Sequence, residues 1–557
     1  MNIFKENKVI ATFLVALLLT LSVSSFVVAK SGANLNKYII LLEIILVYFS
    51  SFLIYAIGKK YIAKLLILLF QLVLALQCCS IYSTDEFIIP MTVANLGSAK
   101  AIGFKELLKL AGIFLLCFMP SCFILILRKQ VKEIANIKYY LPFVFVFLIT
   151  PFFINGVLLN TVKLSKAVYS ELTYRPSKSI EILNKYHRDS VVMESSLNKD
   201  DSFLFNKNDF KNIIVVFIEG MSQEVIDRFN NKNLNVTPNL DRLVDESFFI
   251  DNYFNHTAAT FRGLRGQLYS TYQRTAGYYS NKNQGLGTMS KAKMNRVLDT
   301  ALISLPDILG QHHYHSYFFS NEWTNGNMTL YLSHFGFSKV FSSTELGWNT
   351  NTPRTDRFAF ESLQRTLEEG KIKKPFFAGI YSCETHHGVD SSDKKYGNGE
   401  NSYYNKFYNL DYYLGKFVNW FRKSSFYEDT ILIITSDHVT FPTEQFNRSF
   451  GISQKYFAGK IPLLILGKNV KSGFYNAKGK TSLAFAPTVL DLLGFRNDSQ
   501  YFLGCSLFEE KCQCSYWENK IVIGGDNFQT VRNGTDQYFV ELIPPVKDID
   551  EIYSLSY

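Results

Sequence analysis

Two apolar runs of the sequence each end in side chains that can bind a metal ion. Residues 212–218 read Asn-Ile-Ile-Val-Val-Phe-Ile and precede Glu219, and residues 431–436 precede Asp437 and His438. Apolar runs of this length predict strands buried on both faces, and open α/β sheets bind ligands at the carboxyl ends of their strands. Carboxylates and an imidazole suit Zn²⁺ or Mn²⁺. The pattern predicts a metal site built from Glu219, Asp437 and His438, although an Asp-His pair taken alone also fits a surface turn.

The elements that must position these side chains are predicted within residues 211–557. Short apolar runs predict strands at 213–218, 317–319, 375–381, 431–435 and 462–466. Amphipathic or apolar segments predict helices at 237–246, 356–369, 403–421 and 486–494. Strands that alternate with helices in this way are typical of an α/β domain with a largely parallel central sheet.

The first part of the chain has a different composition, dominated by Leu, Ile, Phe and Val up to about residue 160. Crossing a bilayer takes roughly 20 apolar residues. Five segments meet that length, namely 9–29, 38–57, 65–82, 107–127 and 139–158. Basic residues are concentrated at the N-terminus and in two loops that fall on one side if five helices alternate. The positive-inside rule then predicts a cytoplasmic N-terminus and an extracytoplasmic C-terminal domain.

Composition and segment order predict three regions. They are a transmembrane domain of five helices at 1–160, a linker with short helices at 161–210 and a catalytic domain at 211–557. The formal net charge of +10 is modest for 557 residues, and the sequence has no Lys/Arg-rich block. This composition argues against nucleic acid as a partner and favours a membrane surface or anionic head groups. Glu43 lies inside the second predicted span, where we expect its carboxyl group to hydrogen-bond between helices.

Four short motifs, in their order and spacing, resemble one known superfamily. They are residues 218–222, 236–241, 385–387 and 436–438 (Ile-Glu-Gly-Met-Ser, Val-Thr-Pro-Asn-Leu-Asp, Thr-His-His and Ser-Asp-His). The set resembles the alkaline-phosphatase/sulfatase superfamily, and within it the membrane-bound branch of lipoteichoic acid synthases, phosphoglycerol transferases and phosphoethanolamine transferases. Five spans followed by an extracytoplasmic catalytic domain is also the layout of that branch. The resemblance implies a multi-pass protein of the bacterial cytoplasmic (inner) membrane, with its catalytic domain on the outer or periplasmic side.

The resemblance implies a threonine nucleophile, and the matching position is Thr260. By the same match Thr260 is also a ligand of the metal ion, which is the usual way to activate an alcohol at neutral pH. Thr260 fits a helix N-cap as well, a role that is compatible with catalysis. A sulfatase is expected to carry Cys or Ser followed two residues later by Pro. Arg262 stands at that second position, which argues against formylglycine chemistry.

The resemblance also implies a role for the histidine pair after the predicted strand 375–381. His386 matches a histidine that contacts the phosphoryl group or protonates the leaving oxygen, and a near-neutral pKa suits imidazole to either task. His387 is a weaker candidate for contact with the substrate. The alternative is a structural pair of histidines that caps a loop.

Three further residues are candidates for substrate binding. His256 is close to Thr260 in sequence, and Arg262 fits either a phosphate-binding or a surface role. Some relatives carry a substrate-binding histidine after the strand that matches 317–319, and this chain has Asn321 there. Recognition of the head group is therefore expected to differ from that in those relatives.

The cysteines differ between the two halves of the chain. Cys505, with Cys512 or Cys514, is the expected disulfide, because these residues are predicted to lie in an exported domain. Phosphoethanolamine transferases often staple the nucleophile region with cysteines, and this chain has none between residues 123 and 382. That departure favours the phosphoglycerol side of the branch.

The combined expectation is an enzyme that transfers a phospholipid head group. The resemblance implies one divalent metal ion, Zn²⁺ or Mn²⁺, a phospho-threonine intermediate on Thr260 and a donor lipid, most readily phosphatidylglycerol. The acceptor is a glycan or a lipid of the cell envelope. The alternatives are a phosphoethanolamine transferase that uses phosphatidylethanolamine and a lipopolysaccharide-type acceptor, or an extracytoplasmic phosphodiesterase or sulfatase-like hydrolase.

Overall fold

The structure of the protein is a computed structural model in two compact units. One lies largely within Met1–Val93 and Ile102–Ser170, and the other largely within Glu171–Phe441 and Gln445–Tyr557. The described residues are 3–30, 37–56, 58–84, 87–88, 104–127, 149, 153–154, 156–173, 211–273, 302–320, 322, 324, 326–347, 355–391, 393–496, 498, 502–509, 516–524, 527–535, 537–544, 546, 549 and 552.

The first unit consists of long apolar helices. Their bounds are Ile3–Lys30 (α1), Lys37–Ala56 (α2), Lys60–Thr84 (α3), Phe104–Leu125 (α4) and Val157–Thr173 (α5). Within the described ranges, α1 to α4 each contain a segment that is long and apolar enough to cross a membrane. These four segments correspond to the first four predicted spans. The fifth predicted span, 139–158, lies largely outside the described residues, so the count of five stays a prediction.

The carboxylate of Glu43 is buried within this unit and caps the start of α5. Its Oε2 accepts a hydrogen bond from the backbone N–H of Val157 at 2.6 Å, and its Oε1 accepts one from Leu158 at 2.8 Å. The first N–H groups of a helix have no acceptor within that helix, and an unsatisfied group is costly in apolar surroundings. The interhelical hydrogen bonding expected for Glu43 is confirmed, and its partner is backbone.

A central eight-stranded sheet organises the second unit. Its strands are Asn212–Ile218 (β1), Phe248–Asp251 (β2), His315–Phe319 (β3), Lys339–Phe341 (β4), Phe376–Tyr381 (β5), Thr430–Ser436 (β6), Leu463–Leu466 (β7) and Gly473–Asn476 (β8). Their order is β4-β3-β5-β1-β6-β7-β2-β8. The first five strands in this order, β4, β3, β5, β1 and β6, run parallel to one another. Strand β7 is antiparallel to its neighbours β6 and β2, and β8 is parallel to β2. The predicted α/β domain with a largely parallel sheet is confirmed.

All five predicted strands are present, whereas β2, β4 and β8 were not predicted. These three strands have only three or four residues each and lie toward the two edges of the sheet. The side chains of β8 alternate between half-buried and exposed. The edge strands β4 and β8 lack the continuous apolar run that marks a strand covered on both faces. Strand β2 is buried, but its apolar run has only three residues, Phe248 to Ile250, which is too short to indicate a strand.

Helices cover both faces of the sheet. Their bounds are Pro238–Glu246 (α6), Thr260–Tyr269 (α7), Leu305–Gln311 (α8), Asn327–Leu332 (α9), Asp356–Glu368 (α10), Ser402–Lys423 (α11), Glu444–Phe450 (α12) and Phe485–Leu492 (α13). The odd-numbered residues of β1, Ile213 to Phe217, pack in one core with side chains of α7, α8 and α13. Its even-numbered residues, Ile214 to Ile218, pack in the other core with α6, α10 and α11. Alternate side chains of a strand point to opposite faces, so β1 is buried completely.

A second, antiparallel sheet follows the α/β core. Its strands are Lys520–Gly524 (β9), Asn527–Asn533 (β10) and Tyr538–Ile543 (β11), in the order β11-β10-β9. Cys505 is disulfide-bonded, and its expected partners, Cys512 and Cys514, lie outside the described residues. Which of the two pairs with Cys505 stays a prediction.

The cap on α5 gives a first testable prediction. Replacing Glu43 by Ala removes both acceptors, and each buried N–H left without an acceptor costs roughly 1–3 kcal/mol. We expect the full-length Glu43→Ala protein in detergent to lose at least about 2 kcal/mol of stability, measured by thermal unfolding. Glu43→Gln keeps one carbonyl oxygen and should lose less. Leu42→Ala, at a neighbouring side chain that is 47% exposed, is the control. An unchanged melting temperature for Glu43→Ala would contradict the capping role.

Candidate active site

The carboxyl ends of β1 and β6 place the three predicted metal ligands side by side. The ladder continues past the strands, because Asp437 N–H donates to the carbonyl oxygen of Ile218 at 3.1 Å. One potential ligand atom from each of Glu219, Asp437 and His438 lies within 4.8 Å of the other two, and all three side chains are buried. Nε2 of His438 is 3.4 Å from Oε1 of Glu219 and 3.6 Å from Oδ2 of Asp437. These residues form the ligand cluster.

The imidazole of His438 is held in the tautomer that a metal ligand needs. Its Nδ1 lies 2.7 Å from the carbonyl oxygen of Val439. A carbonyl oxygen accepts only, so Nδ1 carries the proton of the neutral ring. Nε2 therefore faces the two carboxylates, and in the neutral ring it carries the lone pair that would bind a cation. A backbone partner of this kind commonly orients metal-binding histidines.

The chain turns sharply between Glu219 and the following segment at Gly220. Gly220 has a φ of +50°, and its N–H donates to Oδ1 of Asp437 at 2.8 Å. A Cβ atom at this position would lie 3.2 Å from the imidazole of His438. Glycine meets both requirements, the left-handed conformation and the close approach to the ring.

The predicted nucleophile, Thr260, is the first residue of α7 and reaches the ligand cluster. Its Oγ1 donates a hydrogen bond to Oε2 of Glu219 at 2.7 Å. The N-cap position is held by Ala259, so the alternative role of Thr260 as the N-cap is not the one in the structure. The start of a helix carries free N–H groups and a positive partial charge. Thr260 thus stands where an anionic phosphoryl group is favoured.

Two backbone features bring Thr260 to this position. Ala259 has φ +71° and ψ 143°, a conformation that residues with a Cβ adopt only under strain. Gly263, one turn into α7, packs on the backbone of Asp437, where a Cβ would lie 2.4 Å from the carbonyl oxygen. The strained residue turns the chain into α7, and the glycine lets α7 approach the end of β6.

The second sheet forms hydrogen bonds with the segment that precedes Thr260. Thr257 Oγ1 donates to the carbonyl oxygen of Val522 at 2.8 Å. The N–H of Val522 in turn donates to the carbonyl oxygen of His256 at 2.9 Å. Strand β9 therefore fixes the segment that leads into Thr260.

The ligand cluster contains two buried carboxylates, whose negative charge favours a bound proton or a bound cation. Burial raises the pKa of Asp437, and the nearby carboxylate of Glu219 adds to that rise. Burial opposes a charge on His438, yet Asp437 and Glu219 together raise its pKa well above the ordinary value. Two buried carboxylates thus draw a proton into their immediate surroundings. A divalent cation satisfies the same demand, and two carboxylates, an imidazole and the Thr260 hydroxyl are a donor set that Zn²⁺ or Mn²⁺ accepts.

Tyr381 is a member of this site that the sequence analysis did not single out. It is the last residue of β5, and its hydroxyl donates a hydrogen bond to Oε2 of Glu219. The same hydroxyl lies 3.3 Å from Oγ1 of Thr260 and 3.4 Å from Oδ2 of Asp437. The rule that selected Glu219, a polar group at the carboxyl end of a buried strand, also applies to Tyr381.

The histidine pair lies next to the ligand cluster on the exposed side. Thr385 Oγ1 donates to the backbone carbonyl of Glu219, which ties the start of the pair to β1. His386 is exposed, and its Nδ1 lies 2.8 Å from the carbonyl oxygen of His387. The ring of His387 packs against Phe441, with ring centroids 5.0 Å apart. This placement is compatible with substrate contact by His386, and that role stays a proposal.

Other substrate-binding candidates point elsewhere or lie outside the described residues. Arg262 is 3% exposed, and its Nη1 donates to the carbonyl oxygen of Ile523 at 2.8 Å. His256 is completely buried, with Nδ1 2.7 Å from Oγ of Ser482. Burial lowers the pKa of His256 to about 3, so its ring is neutral near pH 7. Both side chains support the nucleophile loop, and Asn321 is not among the described residues.

The fold and the site together define the class of protein. It is an α/β domain with a largely parallel sheet, and three residues that could hold a metal ion lie at the carboxyl ends of the strands. The family model described as Sulfatase matches residues 211–495, about half of the chain. The chain belongs to the sulfatase family. The resemblance to the alkaline-phosphatase/sulfatase superfamily stated from the four motifs is confirmed.

Individual relatives are more distant. The chain is similar to lipoteichoic acid synthase 2 of Bacillus subtilis (strain 168), at 24% identity over 360 residues that cover 57% of this chain and 50% of that protein. The chain therefore spans about half the length of this curated relative. Similar solved structures are an alkaline-phosphatase-superfamily protein from Vibrio parahaemolyticus (18% identity, TM-score 0.49, 70% of this chain and 96% of that chain) and lipoteichoic acid synthase LtaP from Listeria monocytogenes (17% identity, TM-score 0.47, 68% and 95%).

Ala259 allows a test of backbone strain at the nucleophile. Glycine adopts a positive φ without strain, so Ala259→Gly is expected to raise stability by roughly 0.5–1 kcal/mol. Ala258 does not have a positive φ. Ala258→Gly should therefore lower stability by a similar amount, because glycine makes the unfolded chain more flexible than alanine does. Thermal unfolding of both full-length variants measures the difference. Shifts of the same sign would show that Ala259 is not strained.

Removing divalent metal should destabilise the folded protein. A cation bound at 100 times its dissociation constant stabilises the native state by about 2.7 kcal/mol. We expect a chelator to lower the melting temperature of the full-length protein and Zn²⁺ or Mn²⁺ to restore it. Asp437→Asn should abolish this response. Asp491→Asn alters another buried carboxylate, one paired with Arg496, and should keep it. A response that survives in Asp437→Asn would place the metal elsewhere.

Proposed function

We propose that this protein transfers the head group of a membrane phospholipid, phosphoglycerol in the first instance, to a glycan or lipid acceptor at the cell envelope. The observation that carries the proposal is the hydrogen bond from the Thr260 hydroxyl to Glu219, beside Asp437 and His438. This arrangement suits a hydroxyl nucleophile activated at a divalent cation, Zn²⁺ or Mn²⁺. Glu219, Thr260, Asp437 and His438 would hold that ion.

In the first step, Oγ1 of Thr260 attacks the phosphorus of the donor lipid. The bond from phosphorus to the diacylglycerol oxygen breaks, and the head-group phosphate becomes esterified to Thr260. The hydroxyl proton of Thr260, which faces Glu219, passes to solvent before attack, and Thr260 leaves phosphorus as the alkoxide in the second step. When bound, the divalent cation lowers the pKa of the hydroxyl and offsets charge on the phosphoryl oxygens. The free N–H groups at the start of α7 favour the same anionic oxygens.

His386 provides the proton transfers in this scheme. It is exposed, and it follows Thr385, whose hydroxyl is tied to the backbone of Glu219. In the first step His386 protonates the diacylglycerol oxygen as it leaves. In the second step the oxygen of the acceptor hydroxyl attacks phosphorus and displaces Thr260. The neutral ring of His386 takes up the proton of that hydroxyl. One imidazole can serve in both directions because its protonated form donates a proton and its neutral form accepts one.

The apolar helices support a lipid as the donor. Four segments of membrane-spanning length and composition lie among the described residues of a chain that also carries the sulfatase domain. Such helices would hold the domain at a bilayer, with the catalytic domain on the outer side of the cytoplasmic membrane. Phosphatidylglycerol is the preferred donor, because the chain resembles a lipoteichoic acid synthase and lacks cysteines from 123 to 382.

Labelled lipids test the reaction and its donor. The full-length protein in liposomes should release diacylglycerol from phosphatidylglycerol, and Thr260→Ala should lower the rate on the order of 10³-fold or more, as removal of a nucleophile does. Intact-mass measurement should find a phosphoglycerol adduct on the wild-type protein and none on Thr260→Ala. Thr260→Ser keeps the hydroxyl and should retain part of the rate.

The control is Thr366→Ala. Thr366 is a buried threonine, and its hydroxyl donates a hydrogen bond to the carbonyl oxygen of Ser362 in the same helix, α10. An adduct from phosphatidylethanolamine would identify the phosphoethanolamine transferase alternative. Head-group release in water without transfer to an added acceptor would identify the hydrolase alternative. Full turnover by Thr260→Ala would overturn the proposal.

A further inference from the structure

We propose that Tyr381 is a fifth ligand of the metal ion, through its phenolic oxygen. This inference rests on the proposed metal site and extends it to a residue outside the motifs that carry the family resemblance. Tyr381 ends β5, the strand that pairs with β1 on the side opposite β6. Ligands would then come from the carboxyl ends of three adjacent parallel strands and from the start of α7.

The distances between oxygen and nitrogen atoms support coordination of a common ion. Neighbouring donor atoms bound at about 2.1 Å to one five-coordinate ion lie about 3.0–3.6 Å apart. The hydroxyl of Tyr381 is 3.3 Å from Oγ1 of Thr260 and 3.4 Å from Oδ2 of Asp437. Nε2 of His438 lies at 3.4 and 3.6 Å from the two carboxylates. The phenolic oxygen is therefore spaced from Thr260 and Asp437 as a ligand is, and it lies closer than that spacing to Oε2 of Glu219, to which it donates a hydrogen bond.

The hydrogen bond from Tyr381 to Glu219 is the contact that metal binding changes. The hydroxyl of Tyr381 and that of Thr260 both donate to Oε2 of Glu219. Both protons thus face a ligand oxygen at the place where a cation is needed. Coordination breaks the O–H bond of the phenol, forms a bond from its oxygen to the ion and releases the proton to solvent.

The ring of Tyr381 is anchored independently of its hydroxyl. Tyr381 is 5% exposed, and its ring belongs to the core that contains Phe217 and Phe485. The polar end alone reaches the ligand cluster. Phenylalanine fills the same space in the core, so Tyr381→Phe removes the oxygen with little change in packing.

A simple structural role for Tyr381 makes a different prediction. If its hydroxyl only steadied Glu219, the loss would affect stability without a metal ion present and would leave no spectroscopic trace on a bound ion. If it binds the ion, its loss weakens the affinity for metal, and the bound ion carries the signature of a phenolate. The two roles separate in metal titrations and in visible absorption.

The test uses the full-length protein in detergent, freed of metal by a chelator. Titration with Zn²⁺ alone and with Mn²⁺ alone gives the dissociation constants, and Tyr381→Phe is expected to raise both at least 10-fold. The matched control is Tyr253→Phe, because Tyr253 has a buried hydroxyl with no hydrogen-bond partner in the part of the chain that the structure describes. That control should leave both constants unchanged. Thermal unfolding without metal confirms that each variant is folded.

Copper supplies the second readout, since Cu²⁺ binds such donor sets most tightly of the divalent first-row metals. The wild-type and Tyr253→Phe proteins loaded with Cu²⁺ should show a phenolate-to-copper charge-transfer band, and Tyr381→Phe should lack it. Unchanged affinity in Tyr381→Phe, or a wild-type spectrum without the band, would overturn the role of Tyr381 as a ligand. Failure of the wild-type protein to bind any of these metals would instead overturn the proposed metal-dependent function.

Discussion

The burial of two carboxylates at one point is the constraint on which this sulfatase-family domain depends. Glu219 and Asp437 are 4% and 0% exposed, and a buried carboxylate is costly unless a positive charge and hydrogen bonds compensate for it. Backbone N–H groups and His438 supply part of that compensation. A divalent cation would complete it. The chemistry proposed for Thr260 follows from this arrangement, because a cation that balances the carboxylates would also activate the hydroxyl.

The position of Thr260, the proposed nucleophile, depends on elements that contribute no reacting group or metal ligand. Ala259 holds a positive φ, and such strain persists only where the surroundings enforce it. Strand β9 provides that enforcement through two hydrogen bonds of the Val522 backbone, one from the Thr257 hydroxyl and one to the carbonyl oxygen of His256. His256 and Arg262 add buried hydrogen bonds on the same side. The second sheet is therefore part of the support of the site, although it contributes no ligand.

The apolar unit handles a buried charge by a different means. Glu43 has no cation among its described hydrogen-bond partners, and its two oxygens instead accept the free N–H groups that begin α5. A helix start carries a positive partial charge, so it is a favourable partner for a carboxylate in apolar surroundings. The same physical device, an anion at a helix N-terminus, is proposed for the phosphoryl group at α7.

The sequence by itself determined five strands of the main sheet (β1, β3, β5, β6 and β7) and the ligand residues that follow β1 and β6. The apolar runs before Glu219 and Asp437 indicate strands that are buried on both faces, and such a run can be recognised from neighbouring residues alone. Only the tertiary structure decided that β5 lies beside β1 and that Tyr381 meets Glu219, Thr260 and Asp437. Local sequence patterns also did not predict the short strands β2, β4 and β8, the sheet of β9 to β11 or the inward direction of the Arg262 side chain. Convergence of distant residues depends on strand order and on the direction of each side chain, and a local pattern encodes neither.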